Sequence, residues 1–257
     1  MDYLADNFAR IVYNVLYRLE WKLYYGIVVK SIVSEYEFPE FQEDAARSVV
    51  LLKNEGGLLP LDKSGLKTIG VIAPNANNRS ALAVNWADEH VPAILQGWYP
   101  GAEGRRAMAE ILFGDRCPEG KLPVTFYHSS EELPDFADYH MKGRTYRYME
   151  QEALYPFGYG LSYTDFTYEN VCSDSAVLSK EGITLGATVK NTGKVAGGET
   201  VQAYVKICGD GTPGSGILPN VQLKGICKLH LSPGEAKEAV IHLPAEAFGL
   251  YELSENN

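Results

Sequence analysis

Apolar and polar residues follow one period in the first part of the chain and another in the last. Residues 2–25 place Asp2, Asp6, Arg10, Asn14, Arg18 and Lys22 four apart on one stripe. Leu4, Phe8, Ile11, Val12, Val15, Leu16, Leu19 and Leu23 lie opposite, which predicts an amphipathic helix. Its acids come first and its bases last, in keeping with the helix dipole. Pro39 ends the following stretch, and Glu40 to Arg47 predicts a second helix. Ser48 to Asn54 is a short apolar run of strand length, closed by the turn Glu55-Gly56-Gly57. Thr68 to Ala73, Val91 to Trp98 and Lys121 to Tyr127 read as further strands, with a helix over Gly104 to Phe113 stopped by Gly114. Strands interleaved with helices predict an α/β layer structure.

Near residue 165 the period falls to two. Ile183, Leu185, Ala187 and Val189 alternate with Thr184, Gly186, Thr188 and Lys190. Val201, Ala203, Val205 and Ile207 alternate with Gln202, Tyr204 and Lys206, and Val221–Leu223 and Ala239–Leu243 continue the style. Turn signals separate them at Asn191-Thr192-Gly193, Gly209-Asp210-Gly211 and Ser232-Pro233-Gly234. Short strands with such turns predict a β-sandwich, with the boundary near Gly160 to Phe166.

Charge narrows the function classes. The 23 Lys and Arg against 33 Asp and Glu leave a formal charge of −10. That balance argues against nucleic acid as a partner and against a polybasic membrane surface. Arg18, Glu20, Lys22 and Lys30 break the most apolar stretch, so no membrane span is expected. Asp2 and Asp6 stand where a signal peptide carries positive charge, which points to a cytoplasmic protein. Cys117, Cys172, Cys208 and Cys227 show no metal or redox spacing. They read as reduced thiols, with a Cys208–Cys227 bridge as the alternative.

Candidate chemistry is sparse. The five His have no i,i+4 pair, so neither metal nor cofactor is expected. Asp88-Glu89 and Glu131-Glu132 read as solvated faces, because adjacent side chains rarely converge on one atom. Glu103 lies where the helix beginning at Gly104 exposes its N-terminus, as a cap or as a substrate contact. Of 17 Tyr, seven fall between residues 139 and 168. Tyr146 and Tyr148 sit there beside Arg144 and Arg147, in a segment suited either to packing domains together or to stacking on sugar rings.

Several segments, in order, resemble glycoside hydrolase family 3, the β-glucosidase and β-xylosidase family. They are Ala45–Asn54 with Leu58–Leu61, Ile69–Ala76, Trp98–Gly101 with Glu103-Gly104, Gly114–Phe126, Gly143–Tyr148 and Tyr155–Thr164. Val189–Gly193 and Gly197–Gln202 resemble that family's fibronectin type III-like domain, and the whole likeness covers about residues 40–253.

The resemblance implies a shortened α/β sandwich at 39–164 and an incomplete fibronectin III-like β-sandwich at 165–257, after a helical element at 1–38. It implies kinship with enzymes that hydrolyse terminal β-linked sugars. The family's nucleophile-bearing (β/α)8 barrel has no counterpart here, so no residue receives a catalytic role. Only ten residues separate Pro74-Asn75 from Trp86-Ala87-Asp88, where the family's acid/base Glu usually arises. Activity is therefore expected only with a barrel supplied by another chain. The alternative is a non-catalytic carbohydrate-binding or protein-interaction module. A second chain, barrel or self, is expected on the N-terminal helix or on an open sheet edge.

Overall fold

The computed structural model describes residues 39–62, 64, 80–98, 103–135, 137–207 and 218–249. The chain divides into two compact units, 1–41 and 42–257, and nearly all of the described residues belong to the second. The helix expected at 2–25, the strand at Thr68–Ala73 and Cys208 lie outside the described residues.

Helix α1 spans Pro39–Ser48. Proline suits its first position, where the ring presets φ and no intrahelical N–H is lost. Strand β1, Val50–Asn54, follows at once, and Val50, Leu51 and Leu52 are all buried, as a run without alternation requires. It pairs antiparallel with β2, Ala93–Gln96, in the register Val50↔Gln96 and Asn54↔Ala93. Between them lies α2, Ser80–His90, which periodicity does not announce because its polar residues follow no single stripe. Helix α3, Gly104–Leu112, turns Ala107 and Ile111 into the core, both fully buried. Gly114 ends it at φ +77°, its N–H on the Ile111 carbonyl and its missing Cβ replaced by the ring of Pro60.

Lys121 to Tyr127 forms no regular strand, contrary to its apolar pattern. Pro123 has no N–H to give to a ladder. The segment instead meets residues 155–161 through separate bonds, Leu122 N–H to the Tyr159 carbonyl at 2.8 Å and Phe126 N–H to that of Tyr155 at 2.9 Å. Leu161 N–H closes on the Leu51 carbonyl, so the 155–161 segment flanks β1. Val50, Leu52, Leu122 and Tyr155 form the buried centre of this unit.

The second part is a β-sandwich of two sheets. One has the order β3 (Phe166–Ser173), β4 (Ile183–Asn191) and β7 (Ala236–Leu243), all antiparallel. The other pairs β5 (Gly197–Val205) with β6 (Gln222–Leu231). Val189, Val201, Ala203, Leu231, Ala239, Ile241 and Leu243 fill the space between them. The inward sets of β4 and β7 follow the alternation read from the sequence. Strand β3 was not legible, because all but its first residue remain exposed and its side chains are mostly polar.

Candidate functional site

The segment carrying the candidate Arg and Tyr residues is a short turn of helix, α4, Thr145–Tyr148. Thr145 starts it at φ +55°, an unusual backbone for a β-branched residue. Its N–H donates to the Tyr127 hydroxyl at 2.7 Å and the Tyr146 N–H to the Thr125 hydroxyl at 3.0 Å, which fixes the turn on the α/β unit.

Tyr146 then bridges to the sandwich. Its ring stacks on Phe157 at 4.1 Å and 12°, and meets Tyr204 of β5 edge-on at 6.3 Å. Its hydroxyl accepts the Leu223 N–H of β6 at 3.2 Å. The Arg147 guanidinium lies 5.9 Å over the Tyr146 ring, and the Asn220 side chain donates to the Met149 carbonyl at 2.7 Å. Arg144 turns back on its own loop and donates to the carbonyls of His140, Asp135 and Asp138. Tyr148 gives its carbonyl to the Gly143 N–H. The segment thus joins the two parts of the chain through Tyr146, with Arg147 on the outside.

Glu103 lies at the N-cap of α3, where its carbonyl accepts the N–H groups of Arg106 and Ala107 and its side chain makes no capping bond. Among the described residues, no hydrogen bond, ion pair or ring contact joins it to the Arg144–Tyr148 segment. Glu131 and Glu132 sit in the exposed turn Ser130–Glu132, where the Glu132 carboxylate accepts the His128 N–H at 3.1 Å.

Two charged clusters emerge, and the first draws in Asp88, which the sequence reads as part of a solvated face but which is half-buried against Tyr155. In the first, Asp88 of α2 accepts the Tyr155 hydroxyl at 2.5 Å, while Lys53 donates to the Asp88 carbonyl and pairs with Glu55 at 3.0 Å. Burial, and then the Asp88 carboxylate, push the Tyr155 phenol well above its ordinary pKa, so it remains a proton donor.

The second cluster rims a cleft of about 600 Å3 where the two parts meet. Glu43 pairs with Arg47 at 2.8 Å and with Arg116, and Arg116 also holds Glu110 at 2.9 Å. Glu119 faces His230 of β6 at 3.2 Å, Lys228 at 3.5 Å and Arg47 at 4.0 Å. The Arg116 hydrogen bond, above all, holds Glu43 below the usual carboxylate range, against a smaller upward push from burial. Burial outweighs Glu119 at Lys228 and lowers its ammonium pKa. Arg116 and Glu43 are 73 positions apart and Glu119 and His230 are 111 apart, spacings no local motif reveals.

Glycosidic cleavage makes its own demand on such carboxylates. That chemistry needs two carboxylates about 5–5.5 Å apart in a retaining enzyme, the acid among them with a raised pKa. Every carboxylate of the described residues with a displaced pKa, namely Glu43, Asp62, Asp138, Asp174 and Glu235, is displaced downward. Among the described residues no group of His, Cys, Asp or Glu could hold a metal ion.

The described residues thus form an α/β unit followed by a β-sandwich, and no closed barrel is present among them. Residues 77–163 match the glycosyl hydrolase family 3 C-terminal domain, and residues 199–257 match the fibronectin type III-like domain. The chain belongs to glycosyl hydrolase family 3, through the C-terminal region of that family.

It is 41% identical over 181 residues to a xylan 1,4-beta-xylosidase of Xylanibacter ruminicola, a match covering 69% of this chain and 20% of that protein. It is 33% identical over 233 residues to a periplasmic beta-glucosidase of Salmonella typhimurium, covering 86% of this chain and 30% of that one. The solved structure of beta-glucosidase 3B from Thermotoga neapolitana in complex with glucose superposes with a TM-score of 0.55 at 33% identity. That superposition covers 64% of this chain and 24% of the other. The chain thus spans under a third of the length of these relatives.

Proposed function

We propose that this chain is the accessory half of a family 3 β-glycosidase. It would take part in hydrolysing terminal β-linked glucose or xylose only when a nucleophile-bearing barrel completes it. The observation that supports this reading is the match to both C-terminal domains of the family, joined with carboxylates that are ion-paired rather than poised as acids. Residues 39–164 are assigned to the shortened α/β domain and 165–257 to the fibronectin III-like one, after the element at 1–38.

Tyr146 acts in this reading as the contact that sets the two domains, Arg144, Arg147 and Tyr148 as residues that hold the segment around it, and Glu103 as a contact at the open end of α3. A barrel or a second copy of the chain is the partner, and carbohydrate is the substrate of the completed enzyme. A cytoplasmic location fits the free thiols Cys117, Cys172 and Cys227. Among the described residues no helix is long and apolar enough to cross a membrane.

The test is hydrolysis of aryl β-glucoside and β-xyloside by the purified chain, alone and mixed with a family 3 barrel. Turnover only in the mixture supports the reading, and none in either removes it. Exposed Val171, Val240 and Ile226 on the sandwich favour a second reading, a non-catalytic interaction module. A stable oligomer without turnover in the mixture would select it.

A further inference from the structure

Strand β3 has an open edge. It pairs with β4 on one side, and among the described residues no strand pairs with its other side. Its backbone groups divide between the two sides. The Asp174 N–H donates to the Thr184 carbonyl and the Asp165 carbonyl accepts the Thr192 N–H, so both residues turn toward β4. Successive residues of a strand alternate in this respect. Val171 and Ser173 therefore direct N–H and C=O to the open edge. Across the bulge between Glu169 and Cys172, Phe166 and Tyr168 do the same.

The other open edges of the sandwich are guarded or recessed. Strand β6 carries Lys224 and Lys228, and its His230 carbonyl is taken by the Lys237 side chain at 2.6 Å. Strand β7 carries Lys237 and is followed by Pro244. Lysine and proline are common guards of a sheet edge. The open side of β5 lies behind β3, whose Tyr168 hydroxyl donates to Glu199 of β5 at 2.7 Å. Strand β3 has neither lysine nor proline, and its Val171 is 75% exposed.

The same strand of a second copy fits this edge. Two chains of formal charge −10 repel, so they meet best where charge is sparse, and Glu169 is the single charged residue of β3. An antiparallel pair about a two-fold axis at Cys172 sets Val171 opposite Ser173 of the second copy, and Ser173 opposite its Val171. All of these face the shared edge, so each pair exchanges both hydrogen bonds. Glu169 then stands opposite Ser175 and Asp174 opposite Asn170, so no carboxylate faces another. An axis at Val171 would set Ser173 against Glu169, whose backbone faces β4. The axis at Cys172 also brings this exposed thiol opposite itself, with Cα atoms about 4.5 Å apart, within disulfide reach.

We propose that β3 is a self-association edge, through which two copies join antiparallel into one continuous sheet. The ladder is short and buries less than the roughly 1,200 Å2 of a stable interface, so the dimer is weak and transient. The proposal rests on the reading above only in taking a second copy as the partner.

The test is sedimentation equilibrium of the full chain over a range of concentrations, with diamide cross-linking as a second readout. Diamide takes up the electrons and protons that a pair of Cys172 thiols releases on forming a disulfide. A concentration-dependent dimer and a cross-link through Cys172 are expected. Cys172→Ser should abolish the cross-link and keep the dimer. Val171→Glu, at an exposed position, is expected to weaken dimer and cross-link at least about tenfold with an unchanged unfolding midpoint. Ile226→Glu adds the same charge on β6 and should leave both as they are. A chain that stays monomeric up to about 1 mM overturns the proposal. So does a dimer that Val171→Glu leaves intact, or one that Ile226→Glu disrupts equally. Hydrolysis in the barrel mixture is read separately, so loss of one result leaves the other standing.

Discussion

The Thr164 hydroxyl donates to the side-chain oxygen of Asn191 at 2.6 Å, and both residues are buried. Thr164 ends the segment that leaves the α/β unit, and Asn191 ends β4. The Asn191 amide nitrogen donates to the carbonyls of Val195 at 2.8 Å and Leu231 at 3.0 Å, and its oxygen also accepts the Gly193 N–H. One side chain therefore satisfies the turn into β5, the end of β6 and the domain junction together.

Asn191→Ala is accordingly expected to cost about 2–4 kcal/mol, because it strands several buried polar groups at once. Thr164→Val removes one donor and leaves the Asn191 oxygen with Gly193, so about 1 kcal/mol is expected. Urea unfolding followed by circular dichroism measures both. Equal effects of the two variants would show that the Asn191 network does not act as a unit.

Gly198 on β5 offers a second check on the domain junction. A Cβ there would collide with the Glu119 carboxylate, whose side chain is 11% exposed. Gly198→Ala forces Glu119 away from Lys228 and His230, and a loss of about 1–3 kcal/mol is expected, as for other overpacked sites. Glu119→Ala makes room, so the double variant is expected to lose less than the sum of the two. A double-mutant cycle gives the coupling directly, and additivity would place Glu119 elsewhere in solution.

Glu43 sets an acid limit on the cleft. Its folded pKa lies below the ordinary carboxylate value because Arg116 and Arg47 favour the ionised form. A lowered pKa in the folded state contributes stability above the unfolded value of 4.5, lost as pH falls through the folded value. The folded chain is therefore expected to lose stability as pH drops below about 4.5. Glu43→Gln should flatten that slope. Tm recorded from pH 6 to pH 3 checks it, and parallel curves for wild type and variant would assign the acid slope to other carboxylates.

Much of the fold was legible because it rests on local rules. Pro39 and Gly114 mark helix ends by backbone geometry, and the period of two in β4 and β7 follows from a sheet with one buried face. Lys121–Tyr127 misled because apolar alternation says nothing of a missing N–H at Pro123. Helix α2 was hidden because its polar residues, Asn85 and Asp88 to His90, follow no single stripe, and β3 by its exposure. The candidate site divides in the same way. A cluster of Tyr and Arg between residues 139 and 168 is visible before folding, and Tyr146 came out of it. The pairing of Arg116 with Glu43 joins residues 73 positions apart and exists only once the α/β unit has folded, and that of Glu119 with His230 joins residues 111 apart and exists only once the domains meet.

Tyr146 gives the last prediction. Its ring lies between Phe157 of the α/β part and Tyr204 of the sandwich, and its hydroxyl accepts the Leu223 N–H. Tyr146→Phe keeps the ring contacts and removes the acceptor, so about 0.5–1.5 kcal/mol is expected, with faster hydrogen exchange at the Leu223 amide. Tyr146→Ala also removes the stacked ring, and about 2–4 kcal/mol is expected with faster exchange along the start of β6. Arg147→Ala, which lies over the outer face of the ring, should cost under about 1 kcal/mol because the guanidinium is exposed. If Arg147→Ala matches Tyr146→Ala, the cation rather than the ring joins the domains, and the role assigned to Tyr146 is wrong.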